Sequence, residues 1–211
     1  MNSDVVLRDD SFKKAIDHFK KNKKLFAVGF SQIEKDGKIV GANTCYFKNG
    51  FINHSHKKIS DKKIEKIFWA EGGASIFRRD LFLKLGSLDE LFNPFYWEDI
   101  DLSYRAWKSG YQVIFDPNIL VEHHHESTIG KYFQQQKILR TAFRNQLYFH
   151  WKNLTDKEFL IKHLINLPKQ IFRPGFFDAL LNLPKILKLR KKVTKLFKKT
   201  DKEIINQFNY D

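Results

Sequence analysis

The chain has 211 residues with 42% hydrophobic and 15% aromatic content, which predicts one sizeable folded core and excludes an intrinsically disordered protein. Its formal net charge is +14, and its single cysteine, Cys45, excludes an internal disulfide or a thiolate metal site and favours a reducing compartment. No apolar run reaches the roughly 18 to 20 residues that a spanning helix needs, and no signal-peptide pattern follows Met1, so we expect a chain that neither spans a membrane nor is exported.

Strand and helix signals alternate along the first part of the chain. Apolar residues recur at helical spacing over residues 12–19, and glycines end two later helical patterns at the position typical of a helix C-terminus. This alternation predicts an α/β architecture. The predicted strands cover residues 25–30, 38–47, 111–115 and 119–121, and the predicted later helices cover residues 78–85 and 98–109, before Gly86 and Gly110.

An acidic cluster follows an aromatic run at residues 95–105. Glu98, Asp99 and Asp101 stand at a predicted helix start, where the helix dipole favours carboxylates, so we expect them to be ionised near neutral pH. An ionised and oriented carboxylate can act as a general base. The alternative is that these acids only cap the helix, with Asp101 and Arg105 forming an ion pair at i, i+4 spacing.

Two further segments carry candidate chemistry. Gly72 and Gly73 precede a predicted helix, where small residues let backbone amides approach a ligand, although a tight turn needs the same residues. A histidine cluster at residues 123–125 is flanked by glutamates and follows a predicted strand. Neutral imidazoles beside carboxylates suit a divalent metal, and protonated ones suit a diphosphate, while a solvated loop cluster is the alternative.

Taken in order, these segments resemble the second half of the family 2 glycosyltransferases. The resemblance runs through EGGASIFRRDLFLKLGSLDELFNPFYWEDIDLSYRAWKSGYQVIFDP at residues 71–117 and ILVEHHHES at residues 119–127. It implies a GT-A fold of the rhamnosyltransferase-like kind. The matching positions are Gly86, Asp89, Glu90, Glu98, Asp99, Asp101, Leu102, Arg105, Gly110, Pro117, Val121 and His123.

The resemblance implies an enzyme of the hexosyltransferase type. It would move a sugar from a nucleoside diphosphate donor to an acceptor hydroxyl, with inversion and with Asp99 as the base. The acceptor would be a glycan or a lipid-linked molecule in cell-surface polysaccharide synthesis. Asp4 and His123 would hold Mg²⁺ or Mn²⁺ at the donor diphosphate. The expected substrate-binding residues are Gly72, Gly73, Trp97, Glu98 and Arg105.

The resemblance begins at the metal-binding strand of the family pattern, because Asn2 and Asp4 match its Asn-x-Asp variant. Relatives carry nucleoside-binding strands and helices before this point. We therefore expect a partial GT-A domain at residues 1–127, and a truncated chain whose activity alone is in question.

Residues 128–211 have a different texture, with helical patterns interrupted by prolines. Residues 131–211 hold 18 Lys/Arg against 6 Asp/Glu, whereas the remainder of the chain holds 20 against 18. This basic region could bind an anionic membrane surface, pack on the catalytic domain with a solvated basic face, or contact nucleic acid, the last without a recognised motif. In the first case a cytoplasmic protein would also lie on the inner face of the membrane. Without catalysis, the chain would be a basic membrane-surface or nucleic-acid binding module.

Overall fold

The computed structural model describes residues 5–34, 36–59, 63–123 and 128–208. Its strands are β1 (Val5–Leu7), β2 (Leu25–Ile33), β3 (Ile39–Val40), β4 (Asn43–Lys48), β5 (Phe51–His56), β6 (Glu65–Lys66), β7 (Ser75–Phe77) and β8 (Gln112–His123). Its helices are α1 (Lys14–Lys21), α2 (Arg79–Lys84), α3 (Glu98–Lys108), α4 (Thr128–Tyr132), α5 (Gln135–Asn153), α6 (Lys157–Asn166), α7 (Phe176–Leu181), α8 (Leu183–Val193) and α9 (Asp201–Ile205).

A mixed sheet organises the front part of the molecule. The order β1-β8-β2-β3 forms its main path, with β6 paired to β8 and β7 paired to β2. β2 and β8 run parallel, while β1, β3, β6 and β7 are antiparallel to their partners. The chain between β2 and β8 contains α2 and α3, since parallel strands need a crossover connection. The predicted α/β class is confirmed.

A glycine divides one predicted strand in two. We predicted one strand over residues 38–47, but the structure has two, β3 and β4, with Gly41 between them. Gly41 has a φ of +126°, and a Cβ there would lie 2.5 Å from the Phe30 carbonyl oxygen. Only glycine avoids this collision. The break lets β4 leave the main sheet and pair with β5 as a separate hairpin.

At β8 the prediction erred in the opposite direction. Two separate strands were expected at residues 111–115 and 119–121, whereas β8 is continuous from Gln112 to His123. Its register against β2 shifts between Phe30 and Ser31, which pair with Asp116 and Leu120. The residues in between include Pro117, which has no N–H for the ladder and is therefore accommodated at an irregularity.

The core is continuous from the sheet into the C-terminal helices. Trp107 of α3, Phe149 of α5 and Phe208 after α9 are buried in the same cluster. Phe176 and Ile186 of the basic region are buried there too, so one face of α7 and of α8 packs on the remainder of the molecule. The predicted division near residue 127 therefore marks a change of sequence texture within one shared core. In the described ranges, no helix combines the length and the apolar character needed to cross a bilayer.

Candidate active site

A cavity of about 1220 Å³ lies where four segments meet. These segments are the turn between β2 and β3, the end of β5 with the residues after it, the loop at residues 69–73, and the start of α3. The cavity brings together most of the predicted site residues. Those that line it are Gly72, Gly73, Trp97, Glu98 and Asp99.

Asp99 is held in the first turn of α3 and is partly exposed to the cavity. Its Oδ1 accepts a hydrogen bond of 2.7 Å from its neighbour's backbone, the Ile100 N–H. Burial, followed by the nearby charges of Glu98 and Glu71, raises the pKa of Asp99 to about 8. The expectation of ionised acids at neutral pH is therefore wrong for Asp99, because desolvation and like charges outweigh the amides at the helix start.

Glu98 presents a second carboxyl group to the same cavity. Burial raises its pKa as well. Its Oε2 is a buried oxygen with no hydrogen-bond partner among the described residues. A buried polar atom without a partner is rare in folded proteins and needs a reason.

The backbone that leads into α3 is strained. Tyr96 and Trp97, two consecutive bulky residues, have φ values of +70° and +76°. Such conformations are costly for residues with a side chain and persist only where the surrounding structure holds them. The buried Asn145 of α5 provides this hold: its Nδ2 lies 2.6, 2.9 and 2.9 Å from the carbonyl oxygens of Phe92, Phe95 and Tyr96. A helix of the C-terminal region thus positions the turn that carries Asp99.

Glu71 is a cavity residue whose role the sequence did not reveal. Gln32 Nε2 donates to one of its carboxylate oxygens at 2.7 Å, and Asn43 Nδ2 donates to the other at 3.0 Å. These bonds fix the carboxylate in the loop at residues 69–73. Gln32 and Asn43 lie on β2 and β4, far from Glu71 in the sequence, so the sequence pattern gave no sign of this hydrogen-bond network.

Two histidines of β5 form another part of the cavity wall that was not predicted. His54 packs edge-on against Trp69 and Trp97, with ring centroids 5.4 Å apart in each pair. His56 Nδ1 lies 2.7 Å from Asn43 Oδ1. Because the Asn43 oxygen can only accept, His56 Nδ1 carries the proton. Its Nε2 has no partner among the described residues, although the ring lines the cavity.

Arg105, which was predicted to bind substrate, does not line the cavity. It is buried on the opposite side of α3, where Nε donates to Asp101 Oδ2 at 2.8 Å. Its remaining nitrogens donate to the carbonyl oxygens of Leu85 and Ser87. The predicted i, i+4 pair with Asp101 is confirmed. Arg105 therefore fixes α3 against the end of α2 and does not line the cavity.

The predicted metal ligands fall at the margin of the described residues. Asp4 and the side chain of His123 lie outside them, so their assignment stays a prediction. β1, which directly follows Asp4 in the sequence, pairs with the end of β8. On its other side β8 pairs with β2, where Glu122 lies opposite Ile33, and the residue after Ile33, Glu34, lines the cavity. Among the described side chains, no group of three or more His, Cys, Asp or Glu is arranged to hold a metal ion.

The fold is that of the GT-A class of nucleotide-sugar transferases. A solved structure described as "Crystal structure of GalNAc-T7 with UDP, GalNAc and Mn2+" superposes with a TM-score of 0.63 at 13% sequence identity. The match covers 96% of this chain and 38% of that structure's chain. The model of the glycosyl transferase family group 2 matches residues 1–149, and this chain belongs to that family. None of the curated proteins matches it.

Proposed function

We propose that this chain carries the acceptor-activating part of an inverting glycosyltransferase, which moves a sugar from a nucleoside diphosphate sugar to an acceptor hydroxyl. The observation that carries the proposal is Asp99 at the wall of a large cavity, with its pKa raised to about 8. A base needs a pKa close to the working pH to take a proton efficiently. Membership of the family supports sugar transfer in general.

In the proposed step, the ionised Asp99 carboxylate takes the proton of the acceptor hydroxyl. The acceptor oxygen forms a bond to the anomeric carbon from the side opposite the phosphate. The bond between that carbon and the phosphate oxygen breaks, and its electron pair leaves with the nucleoside diphosphate. Inversion follows from this in-line displacement. Glu98, which also lines the cavity, would help to orient another hydroxyl of the bound sugar.

A divalent cation, Mg²⁺ or Mn²⁺, forms part of the proposal. The solved neighbour is described with UDP and Mn²⁺. The described side chains do not form a metal site by themselves, so the ligands proposed here are still Asp4 and His123. When bound, the cation would neutralise charge on the diphosphate leaving group. Titration of Mn²⁺ against Asp4→Ala and His123→Ala variants, followed by electron paramagnetic resonance, would test these two ligands without any turnover.

The acceptor is proposed to be a glycan or a lipid-linked sugar used in cell-surface polysaccharide synthesis, with the enzyme acting on the cytoplasmic side. The cavity supports an acceptor with mixed chemistry. Lys58 lines it beside Lys57, which pairs with Glu65 at 3.0 Å, and Leu88 and Tyr96 expose apolar surface to the same cavity. A sugar attached through phosphate to a hydrocarbon would match cations, hydroxyl-binding acids and apolar groups together.

The test is Asp99→Asn in the active enzyme that contains this chain. General-base catalysis typically contributes about 10² to 10⁴ in rate, so we expect turnover to fall by about that factor while donor affinity changes little. Asp80→Asn is the matched control, because Asp80 is also an acid in a first helical turn, that of α2, but is absent from the cavity lining. Unchanged turnover in Asp99→Asn would remove the assignment. Loss of donor binding together with turnover would point to a donor-binding role instead.

A further inference from the structure

The outward side of the segment from α6 to α8 exposes an unusual amount of apolar surface. Phe172 is 97% exposed and Leu181 is 82% exposed. Outside this segment, the most exposed aliphatic or phenylalanine side chains in the described ranges reach only 55%. We name the outward side the tail surface. Its most exposed apolar members are Leu164, Ile165, Phe172, Phe177 and Leu181.

The helices present this surface in a fixed orientation. In α7, Phe176 and Ala179 are buried against the core, while Phe177 and Leu181, at i and i+4 spacing, point outward. In α6 the buried face includes His163, whose Nδ1 lies 2.8 Å from the Gly50 carbonyl oxygen. The inner faces therefore anchor both helices, and the outer faces are available without further folding.

The same segment is strongly basic. Residues 157–192 contain nine Lys/Arg against two acids. Both acids are already engaged, because Glu158 pairs with Lys162 at 2.6 Å and Asp178 with Arg140 at 2.5 Å. Lys169, Arg173 and Lys185 remain exposed among the apolar side chains, so the tail surface combines hydrocarbon with unneutralised positive charge.

We propose that the tail surface docks on an anionic phospholipid bilayer. Apolar side chains bordered by cations can sink into the headgroup boundary while the cations contact lipid phosphates. Three of its five most exposed apolar members are Leu or Ile, which cannot stack on bases, so the pattern favours lipid over nucleic acid.

The tail surface is linked to the cavity through one helix. Ala142 of α5 lines the cavity, and Arg140, two residues earlier, holds Asp178 of α7. If the proposed function holds, docking would keep the enzyme on the membrane that carries a lipid-linked acceptor. Docking itself does not depend on turnover, so the two proposals can fail separately.

The test is co-sedimentation of the full chain with vesicles. We expect binding to vesicles that contain phosphatidylglycerol and weak binding to pure phosphatidylcholine vesicles. Phe172→Ser with Leu181→Ser should weaken binding by about tenfold or more, since both side chains lose burial in the bilayer. Lys169→Gln with Lys185→Gln should weaken binding to anionic vesicles roughly fivefold per lysine and remove much of its salt dependence.

The matched control is Ile16→Ser with Leu83→Ser, which removes two exposed apolar side chains of α1 and α2 and should leave binding unchanged. Circular dichroism of every variant confirms that it is folded. The proposal is overturned if anionic vesicles do not bind the folded chain, or if the tail-surface and control variants behave alike. It is also overturned if the apolar variant abolishes a dimer or DNA binding while vesicle binding persists.

Discussion

Two carboxylates on α3 are separated by one residue and occupy opposite environments. Asp99 is partly exposed to the cavity, with no cation against it in the described structure and with its pKa raised. Asp101 is fully buried, and its carboxylate receives hydrogen bonds from Arg105, Lys152 and Asn153. Burial by itself would raise the pKa of Asp101, but these three partners lower it below its ordinary value.

The difference shows how one helix start can serve both structure and chemistry. On the buried side, Asp101 pairs with Arg105 and Lys152, and these two cations fix α3 to the end of α2 and to α5. The cavity side leaves Asp99 without such partners, next to a strained turn. Deviations of this kind collect at functional sites, because selection for stability alone would remove them.

The largest effect is expected from breaking the buried side. Asp101→Asn removes the carboxylate that pairs with Arg105 and that shares Lys152 with Asp89, and breaking a buried ion pair typically costs about 3 to 5 kcal/mol. Denaturant unfolding should show this loss. Asp99→Asn is the control on the same helix. Because the pKa of Asp99 is raised in the folded state, ionisation of this acid destabilises the fold increasingly as pH rises toward about 8. The Asn variant lacks this destabilisation, so its free energy of unfolding at alkaline pH should equal or exceed that of the unmodified chain. If the two variants lose the same stability, the contrast is wrong.

A smaller effect is expected from loosening the turn that carries Asp99. Asn145→Ala leaves the buried carbonyl oxygens held by this amide without their donor, at a cost of about 1 to 3 kcal/mol. Because Asp99 would then be mispositioned, kcat per folded molecule should fall about tenfold or more, with the KM for the donor little changed. Asn182→Ala is the control, since Asn182 holds a carbonyl of α7 away from the cavity. A loss of stability with unchanged kcat would limit Asn145 to a structural role.

The smallest effect concerns two stacked histidines between α5, α6 and β5. The rings of His150 and His163 lie 5.1 Å apart, and burial lowers both pKa values. His150 Nε2 accepts from the Ile52 N–H and His163 Nε2 from Trp151 Nε1, so the folded state keeps both rings neutral. In the unfolded chain each histidine binds a proton below about pH 6.5, whereas in the folded chain it does not. The free energy of unfolding should therefore fall by about 1 kcal/mol for each histidine between about pH 6.5 and about pH 5.5.

This loss can be separated from that of other titrating groups by comparing pH slopes. His163→Gln should make the fall in unfolding free energy between neutral and mildly acidic pH shallower than in the unmodified chain. His18→Gln is the comparison variant outside the stacked pair, because His18 pairs with the buried Asp116 on β8. Identical slopes for His163→Gln and the unmodified chain would show that the pair does not titrate as described.

Local patterns predicted the features that depend on neighbouring residues. The ends of α2 and α3 before Gly86 and Gly110 are confirmed, as is the pairing of Asp101 with Arg105. The family pattern also gathered Gly72, Gly73, Trp97, Glu98 and Asp99, which do share one cavity.

What the sequence could not predict depends on contacts between distant segments. The raised pKa of Asp99 needs Glu71, the hold on its turn needs Asn145, and the cavity wall needs the histidines of β5. Arg105 matched the family pattern, yet its position on the buried face of α3 separates it from the cavity. A pattern along the chain does not distinguish an acid beside a cation from one beside other acids.

The most direct test of Asp99 as the base is the pH dependence of kcat/KM, measured for the active enzyme containing this chain and for its Glu71→Gln variant. Because Asp99 must be ionised to accept a proton, kcat/KM should rise about tenfold per pH unit and level off near pH 8. Glu71→Gln removes a negative charge that raises the pKa of Asp99, so the rise of kcat/KM should occur at lower pH. A profile that is flat across the neutral range, or a limb that Glu71→Gln does not move, would contradict Asp99 as the base.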